Sequence, residues 1–436
     1  MARPTAQLAI AVVLMLCACR AHRSPEPKAS AAVSSAVATT AASASAGHEE
    51  HPIDGNAQNF FSEGELARLS PEERPRWLAY LEHSAKQREL DRALIASELR
   101  ALGRSEMVTA PYRKAFRLEP EMTADWLKSE EGRRFTDNLR TFQTPSGGWS
   151  KRTEFKDAPR APGMSFYSEN TSFHYTATID NDSTTEELRY LARAEGALPD
   201  PRNVQAFRRG VDYLLAAQYP NGCFPQVYPL QGGYHDAATY NDNATVNALR
   251  LLGDVASGAL TLATVEQNPA AASAVQRGLD CIVKSQVRKN GVATVWGQQH
   301  HPLTLEPVAA RRYELAALCG RESAWVTEYL MDLAEPNPDV VAAVHASIDW
   351  YRAHALHGLR YEHQVLSKAD GAPPLWARLY ELDTDRPIFS NRDGIKRYDW
   401  NELTDRRAGY TWYSEEPAKV LQRYPAWAKL HPRRAP

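Results

Sequence analysis

From about residue 60 the apolar and polar positions fall into helical step. FSEGELARLSPEERPRWLAYLEHSAKQRELDRALIASEL (61–99) carries apolar residues three and four apart, with Ser and Glu near the starts. Pro71, directly after Ser70, fits the first position of a helix. The same period returns at 243–256, 324–334 and 337–356, the last with Asn337 or Asp339 as its cap. Strand signals are few and short, such as VATVW at 292–296.

A repeat runs through the middle of this helical pattern. RRGVDYLLAAQYPNGCFPQ (208–226) and QRGLDCIVKSQVRKNGVATVW (276–296) share Arg209/Arg277, Gly210/Gly278, Asp212/Asp280 and Gln218/Gln286, each 68 residues apart. A weaker third copy ends in TFQTPSGGWSK, with Gln143, Gly147 and Trp149. Each unit is an amphipathic helix ending in Gln, then a Gly turn, then an aromatic or apolar residue. Such a repeat predicts an all-α fold, an α/α barrel or toroid of helix pairs, with long loops forming a cleft at one end. Loops held on a rigid scaffold are where chemistry usually sits.

The ends read differently. Arg3 and the run LAIAVVLMLCA are too short to span a bilayer and fit a signal peptide over residues 1–18. Leu16-Cys17-Ala18-Cys19 resembles the bacterial lipobox, which implies Cys19 as a lipidated first residue and a protein held at the cell envelope, as an outer-membrane lipoprotein or secreted. Residues 19–52 are Ala/Ser-rich without apolar period and read as a tether. The remaining chain divides into a helical N-terminal part (53–135), a main domain (136–420) and a tail (421–436). Cys223, Cys281 and Cys319 are odd in number and lack zinc spacing, so buried thiols are expected, with one disulfide left open.

With 51 Lys+Arg against 53 Asp+Glu, nothing suggests nucleic acid as a partner. The chemistry gathers in three places. TATIDNDSTTEEL (176–188) sets Asp180, Asn181 and Asp182 side by side. It fails the calcium loop of an EF-hand, which needs Gly at position 6 and Glu at 12; those places hold Thr185 and Leu191. Asp182 or Ser183 can cap a helix, with Glu186 and Glu187 in its first turn, but a cap leaves Asp180 and Asn181 without a role. Asn241-Asp242-Asn243 stands just before another helix, so the two segments can converge on one hard cation or be two separate caps. Arginines collect in LTLEPVAARRYEL (303–315) and ARLYELDTDRPIFSNRDGIKRYD (377–399), the pattern of planar carboxylate binding or of surface ion pairs. G-x-S-x-G, H-E-x-x-H, Walker A and dinucleotide fingerprints are all missing from the sequence.

Taken together, QTPSGGWSK (143–151), TIDNDSTTEELRYLA (178–192), RGVDYLLAAQYPNGCFPQVYPL (209–230), YHDAATYNDNATVNAL (234–249), TVWGQQHHPLTLEPVAARRYEL (294–315) and residues 377–399 resemble the family 10 pectate lyases, in order, over about 136–420. That resemblance implies an α/α barrel and calcium-assisted cleavage of polygalacturonate by β-elimination, by a monomer acting on pectin. Carried over by motif, Arg311 becomes the proton acceptor, and Asp180, Asn181 and Asp242 become calcium ligands. Arg378 and Arg392 are expected on substrate carboxylates, with Arg386, Lys151 and Trp149 as further cleft candidates. The chain departs from the family pattern at Arg152 (for Asn), Arg312 (for a small residue), Cys223 (for Gly) and His301 (for Asp). Two rivals remain at this point: a calcium-dependent binding protein for acidic polysaccharide, and a glycoside hydrolase using Asp180 and Asp242 as acid and base.

Overall fold

The structure, a computed structural model, describes residues 58–168 and 175–433. The leader, Cys19 and the tether lie outside the described residues. Helices dominate: α1 (Glu63–Ala67), α2 (Arg74–Ala101), α3 (Ala124–Lys128), α4 (Glu130–Thr141), α5 (Thr185–Ala197), α6 (Pro201–Ala217), α7 (Ala244–Ala256), α8 (Gln267–Ser285), α9 (Gly320–Asp332), α10 (Pro338–Ala353) and α11 (Glu416–Leu430). The strands are short antiparallel pairs, such as Ala177–Thr178 with Val227–Tyr228 and Ala238–Thr239 with Gln299–His300. Among the described residues no helix is long and apolar enough to cross a membrane.

Local chemistry sets the helix ends. Asn337 caps α10 through its side chain, accepting from Val340 N at 2.9 Å. At α2 the outcome differs from the expectation: Pro71 lies in a turn and the helix begins at Arg74. Ser70 Oγ accepts from Glu73 N at 3.2 Å while Glu73 Oε2 accepts from Ser70 N at 3.4 Å, a reciprocal cap placed one turn before the helix proper.

Consecutive helices pack as pairs, α5 with α6, α7 with α8 and α9 with α10. α5, α7, α9 and α11 neighbour one another in one row, and α6, α8 and α10 in a second. The repeated glutamines join the second row. Gln143 Nε2 donates to Gly147 O (2.6 Å) and to Ala206 O of α6 (2.8 Å). Gln218 Nε2 does the same with Gly222 O (2.9 Å) and Ala274 O of α8 (2.8 Å), and Gln286 with Thr294 O (3.0 Å) and Ala343 O of α10 (2.9 Å). One buried amide thus closes its own turn and grips the next helix, satisfying two carbonyls that burial would otherwise orphan, each worth roughly 1–3 kcal/mol. Arg209 and Arg277 in turn donate to Gln143 Oε1 and Gln218 Oε1. The turn must let the next helix in. At Gly222 (φ +93°) a Cβ would stand 1.9 Å from Arg277 O, so no other residue fits. Gly278 faces Leu249, its Cβ position 2.3 Å from Leu249 Cδ2, so a larger residue there would have to push that side chain aside.

Two sequence expectations are corrected here. Trp149 is 0% exposed, its Nε1 donating to Leu139 O at 2.9 Å, and Trp296 donates likewise to Ile282 O at 2.7 Å. Trp149 is the core plug of its repeat, and its ring is closed to a sugar. Cys223 and Cys281, expected as thiols, form a disulfide between repeat units with Cα atoms 5.3 Å apart, leaving Cys319 as the free buried cysteine among the described residues.

Candidate active site

The segments 178–184 and 239–245 fold alike. Thr178 and Thr239 accept at Oγ1 from the backbone N of Asp180 (3.0 Å) and Asn241 (3.1 Å). Thr184 and Thr245 close each loop by donating from Oγ1 to the carbonyls of Thr178 (2.8 Å) and Thr239 (2.5 Å). Between them run the short turns Asp180–Asp182 and Asn241–Asn243, with Asn181 (φ +53°), Asp182 (φ +67°), Asp242 (φ +46°) and Asn243 (φ +66°) all left-handed. Asn and Asp tolerate that conformation better than other residues with side chains, which accounts for the composition of both segments. Capping does not. α5 begins at Thr185, and neither Asp182 nor Ser183 caps it. Instead Asp182 accepts from Asn247 Nδ2 (2.7 Å) and pairs with Arg117 (2.7 Å). Glu187 reaches back to the backbone N–H of Thr184, and burial pushes its carboxyl up to about 8.

The two turns meet. Asn241 Nδ2 donates to Asp180 Oδ1 (3.4 Å) and Asp242 Oδ2 (3.1 Å), and Asn181 Nδ2 donates to Asp242 Oδ2 (3.1 Å). Asp180 is 3% exposed and pairs through Oδ2 with Lys151 Nζ at 2.9 Å. Burial alone would raise its carboxyl, but Lys151, by charge and hydrogen bond, and Arg311 hold it below the usual range. Asp242 goes the other way, raised by burial and by the charge of Asp180 against the pull of Arg378. Among the described residues no three His, Cys, Asp or Glu side chains gather as a metal cluster. The donors in reach are two carboxylates and the neighbouring amides, an all-oxygen set that suits a hard cation, whose charge would relieve the strain on Asp242.

Arg311 completes one wall. Its Nε and Nη2 donate to Glu314 Oε2 (2.7 Å) and Oε1 (2.6 Å), and the guanidinium lies 4.9 Å from the Tyr313 ring. Arg311 is 44% exposed and Glu314 4%, so the pair presents a cation to solvent over a buried anion. Burial works against the Arg311 charge, yet Glu314 pushes its pKa well above the ordinary value. Arg378 is present too, but 4% exposed. Its Nη2 bonds Glu322, donates to Asn241 Oδ1 at 3.2 Å and stands 3.7 Å from Asp242, with the guanidinium 4.3 Å over Tyr410. Its contacts are with the protein, supporting the second turn from below. Arg392 is exposed, and its charge acts on Arg406, which stacks on Tyr313 at 4.0 Å. Arg386 is not brought to this group; it stacks on exposed Tyr398 at 3.9 Å in a surface cluster with Glu381 and Lys396.

Sequence reasoning missed several members. Glu314 could have been paired with Arg311 from their three-residue spacing. Gln298, Glu322, Tyr410 and Arg406 carried no separate signal. Tyr234 and His235 stack on one another at 3.9 Å, and the charges of Lys151, Asp180, Arg311 and Glu314 all act on His235, whose pKa burial drives down to about 3. The departures from the family pattern also find reasons. Residue 152 has φ +60°, a conformation Asn takes readily and Arg does not. His301 Nδ1 accepts from Leu303 N (3.1 Å) and Thr304 N (3.3 Å), the turn-closing part an Asp would play.

With this geometry in place, comparison with known proteins decides the kinship. Residues 143–421 match the profile of Pec_lyase, pectic acid lyase. The chain belongs to the pectic acid lyase family, and it is a pectate lyase. Among solved structures it is similar to a family 10 polysaccharide lyase from Cellvibrio cellulosa, with 30% identity and a TM-score of 0.61 over 72% of this chain and 98% of that one. A mutant of that enzyme, in complex with trigalacturonic acid, matches at 30% identity and a TM-score of 0.62, covering 73% and 100%. No curated protein matches. The profile begins at the first repeated glutamine, so α1 to α4 precede the matched segment.

Proposed function

We propose that this lyase is calcium-dependent, that it cleaves (1→4)-α-D-galacturonan by β-elimination, and that Arg311 takes the C5 proton. The observation that carries this reading is the meeting of the two left-handed turns beside Arg311. The C5–H bond of galacturonate lies α to a carboxylate. Breaking it, with loss of the C4–O bond, yields a C4=C5 double bond on one product and a new chain end on the other. Negative charge grows on the substrate carboxylate as the proton leaves, and cations fixed around that place lower the barrier. Asp180, Asn181 and Asp242 would hold the ion, which when bound supplies charge neutralisation for that carboxylate. Lys151 orients Asp180, while Arg392 offers an exposed cation on the Arg406 side. The helix pairs would close into an α/α barrel around this cleft. Cys19 would carry the lipid that anchors the enzyme at the cell envelope; a Cys19→Ser chain recovered in the membrane fraction like wild type would refute the anchor.

The test is purified protein with polygalacturonate, with and without calcium, followed by ultraviolet absorbance of the unsaturated product. Absorbance that rises and is abolished by chelator is expected. New reducing ends without absorbance would mean hydrolysis, and retention of polymer with neither signal would mean a binding protein.

A further inference from the structure

The site is built in two halves, the paired turns on one side and Arg311–Glu314 on the other, and one buried amide touches both. Gln298 Nε2 donates to Asn241 Oδ1 and, at 3.4 Å, to Glu314 Oε1. Its Oε1 accepts from Tyr410 Oη at 3.2 Å, and its backbone carbonyl accepts from Tyr240 N at 2.9 Å. The amide can stand only one way round. Reversed, it would set its oxygen against two acceptors, Asn241 Oδ1 and Glu314 Oε1. Fixing Gln298 therefore fixes Asn241, whose Oδ1 must face the two donors Gln298 and Arg378 and whose Nδ2 must face Asp180 and Asp242.

We propose that Gln298 is a positioning residue that couples the candidate calcium ligands to the proton-accepting pair, with Tyr410 as the anchor that sets its orientation. It is buried, with its amide spent on Asn241, Glu314 and Tyr410. Through Asn241 it turns both carboxylates toward one point, and through Glu314 it holds the anion that orients Arg311. The inference rests on the reading of the site as a calcium-assisted lyase centre.

Gln298→Met keeps length and bulk but has neither donor nor strong acceptor. Calorimetric calcium binding without substrate and steady-state kinetics are measured side by side on the full chain. Residues that orient ligands from behind typically account for 10–100-fold in metal affinity or activity. The expected result is a calcium Kd raised and a kcat lowered together, each by about 10-fold or more, with KM little changed and the far-ultraviolet spectrum intact. Tyr410→Phe keeps the ring under Arg378 and removes only the anchor, so it should move both quantities the same way by less. A Gln298→Met protein that matches wild type, or that changes calcium binding and kcat independently, overturns the coupling while wild-type activity still stands. If Gln298→Met fails to fold, Tyr410→Phe decides alone: unchanged Kd and kcat overturn the proposal. Wild-type protein that neither binds calcium nor forms unsaturated product overturns the reading of the site itself, and the coupling with it.

Discussion

Replacing Arg311 removes two things that the structure allows to be separated. One is the group we propose takes the C5 proton. The other is the partner of a carboxylate that is 4% exposed. Breaking a fully buried ion pair costs about 3–5 kcal/mol and an exposed one under about 1. Arg311 itself is 44% exposed, so this pair falls between, and Arg311→Ala should lose about 2–3 kcal/mol of stability. A proton acceptor or a fixed charge at the reacting centre accounts for about 10²–10⁴ in rate. Arg311→Ala should therefore lose kcat by at least about 10²-fold and unfold at lower urea. Adding Glu314→Gln removes the stranded charge. The double variant should recover most of the stability and none of the activity. Urea denaturation followed by tryptophan fluorescence, with the ultraviolet assay in parallel, reads the two separately. A double variant that regained activity along with stability would show that Arg311 only holds Glu314 in place; a single variant with near-normal turnover would remove Arg311 from the chemistry altogether.

Because Glu314 pushes the Arg311 pKa well above its ordinary value, the neutral guanidine is a minute fraction at any working pH. The log of kcat/KM should climb with a slope near +1 from neutral into the alkaline range, and a plateau near pH 7–8 would point to a base of ordinary pKa. Glu187, with its carboxyl at about 8 against 4.5 unfolded, is held protonated by the fold, so its charging opposes the native state as pH rises from about 4.5 to 8. Glu187→Gln should be more stable than wild type at pH 9, on the order of a few kcal/mol, with the difference gone below about pH 4.5 in urea titrations. Removing the Cys223–Cys281 bridge, whose ends are 58 residues apart, should cost roughly 4 kcal/mol, measured as the change in unfolding free energy of Cys223→Ala/Cys281→Ala.

Helix periods and the repeat were legible because both depend on local apolar spacing. The meaning of the repeat was not. Gln218 and Gln286 looked like helix-end residues, and only the placement of the next helix shows each amide holding two carbonyls in different units. Trp149 shows the opposite limit: an aromatic that plugs a core and one that stacks on a sugar are the same letter. The disulfide joins cysteines whose distance apart in sequence carried no framework. Arg378, matched by motif, and Arg386, a further candidate eight residues on, share one loop-rich segment, yet Arg386 lies on the surface and Arg378 is buried against Glu322. Burial is a property of the whole fold, and no short segment states it.

The two turns themselves carry one more regularity, visible only once they are superposed by their hydrogen bonds. Asp180, Asn181 and Asp182 correspond to Asn241, Asp242 and Asn243. At each equivalent place an acid in one turn stands where the other has an amide. Asn241 donates to Asp180 and Asn181 donates to Asp242, while Asp182 accepts from Asn247 in the first turn of α7. Two copies of either sequence would set carboxylate against carboxylate and amide against amide across the contact. Like charges in a buried site cannot all stay ionised, and paired amide oxygens would leave donors unmet. The complementary pattern lets the turns pack on their own donors and acceptors, while burial and the charge of Asp180 still raise the Asp242 carboxyl. Alternation of acid and amide, more than the count of acids, is therefore what lets these two segments pack against one another, which two helix starts alone would not do.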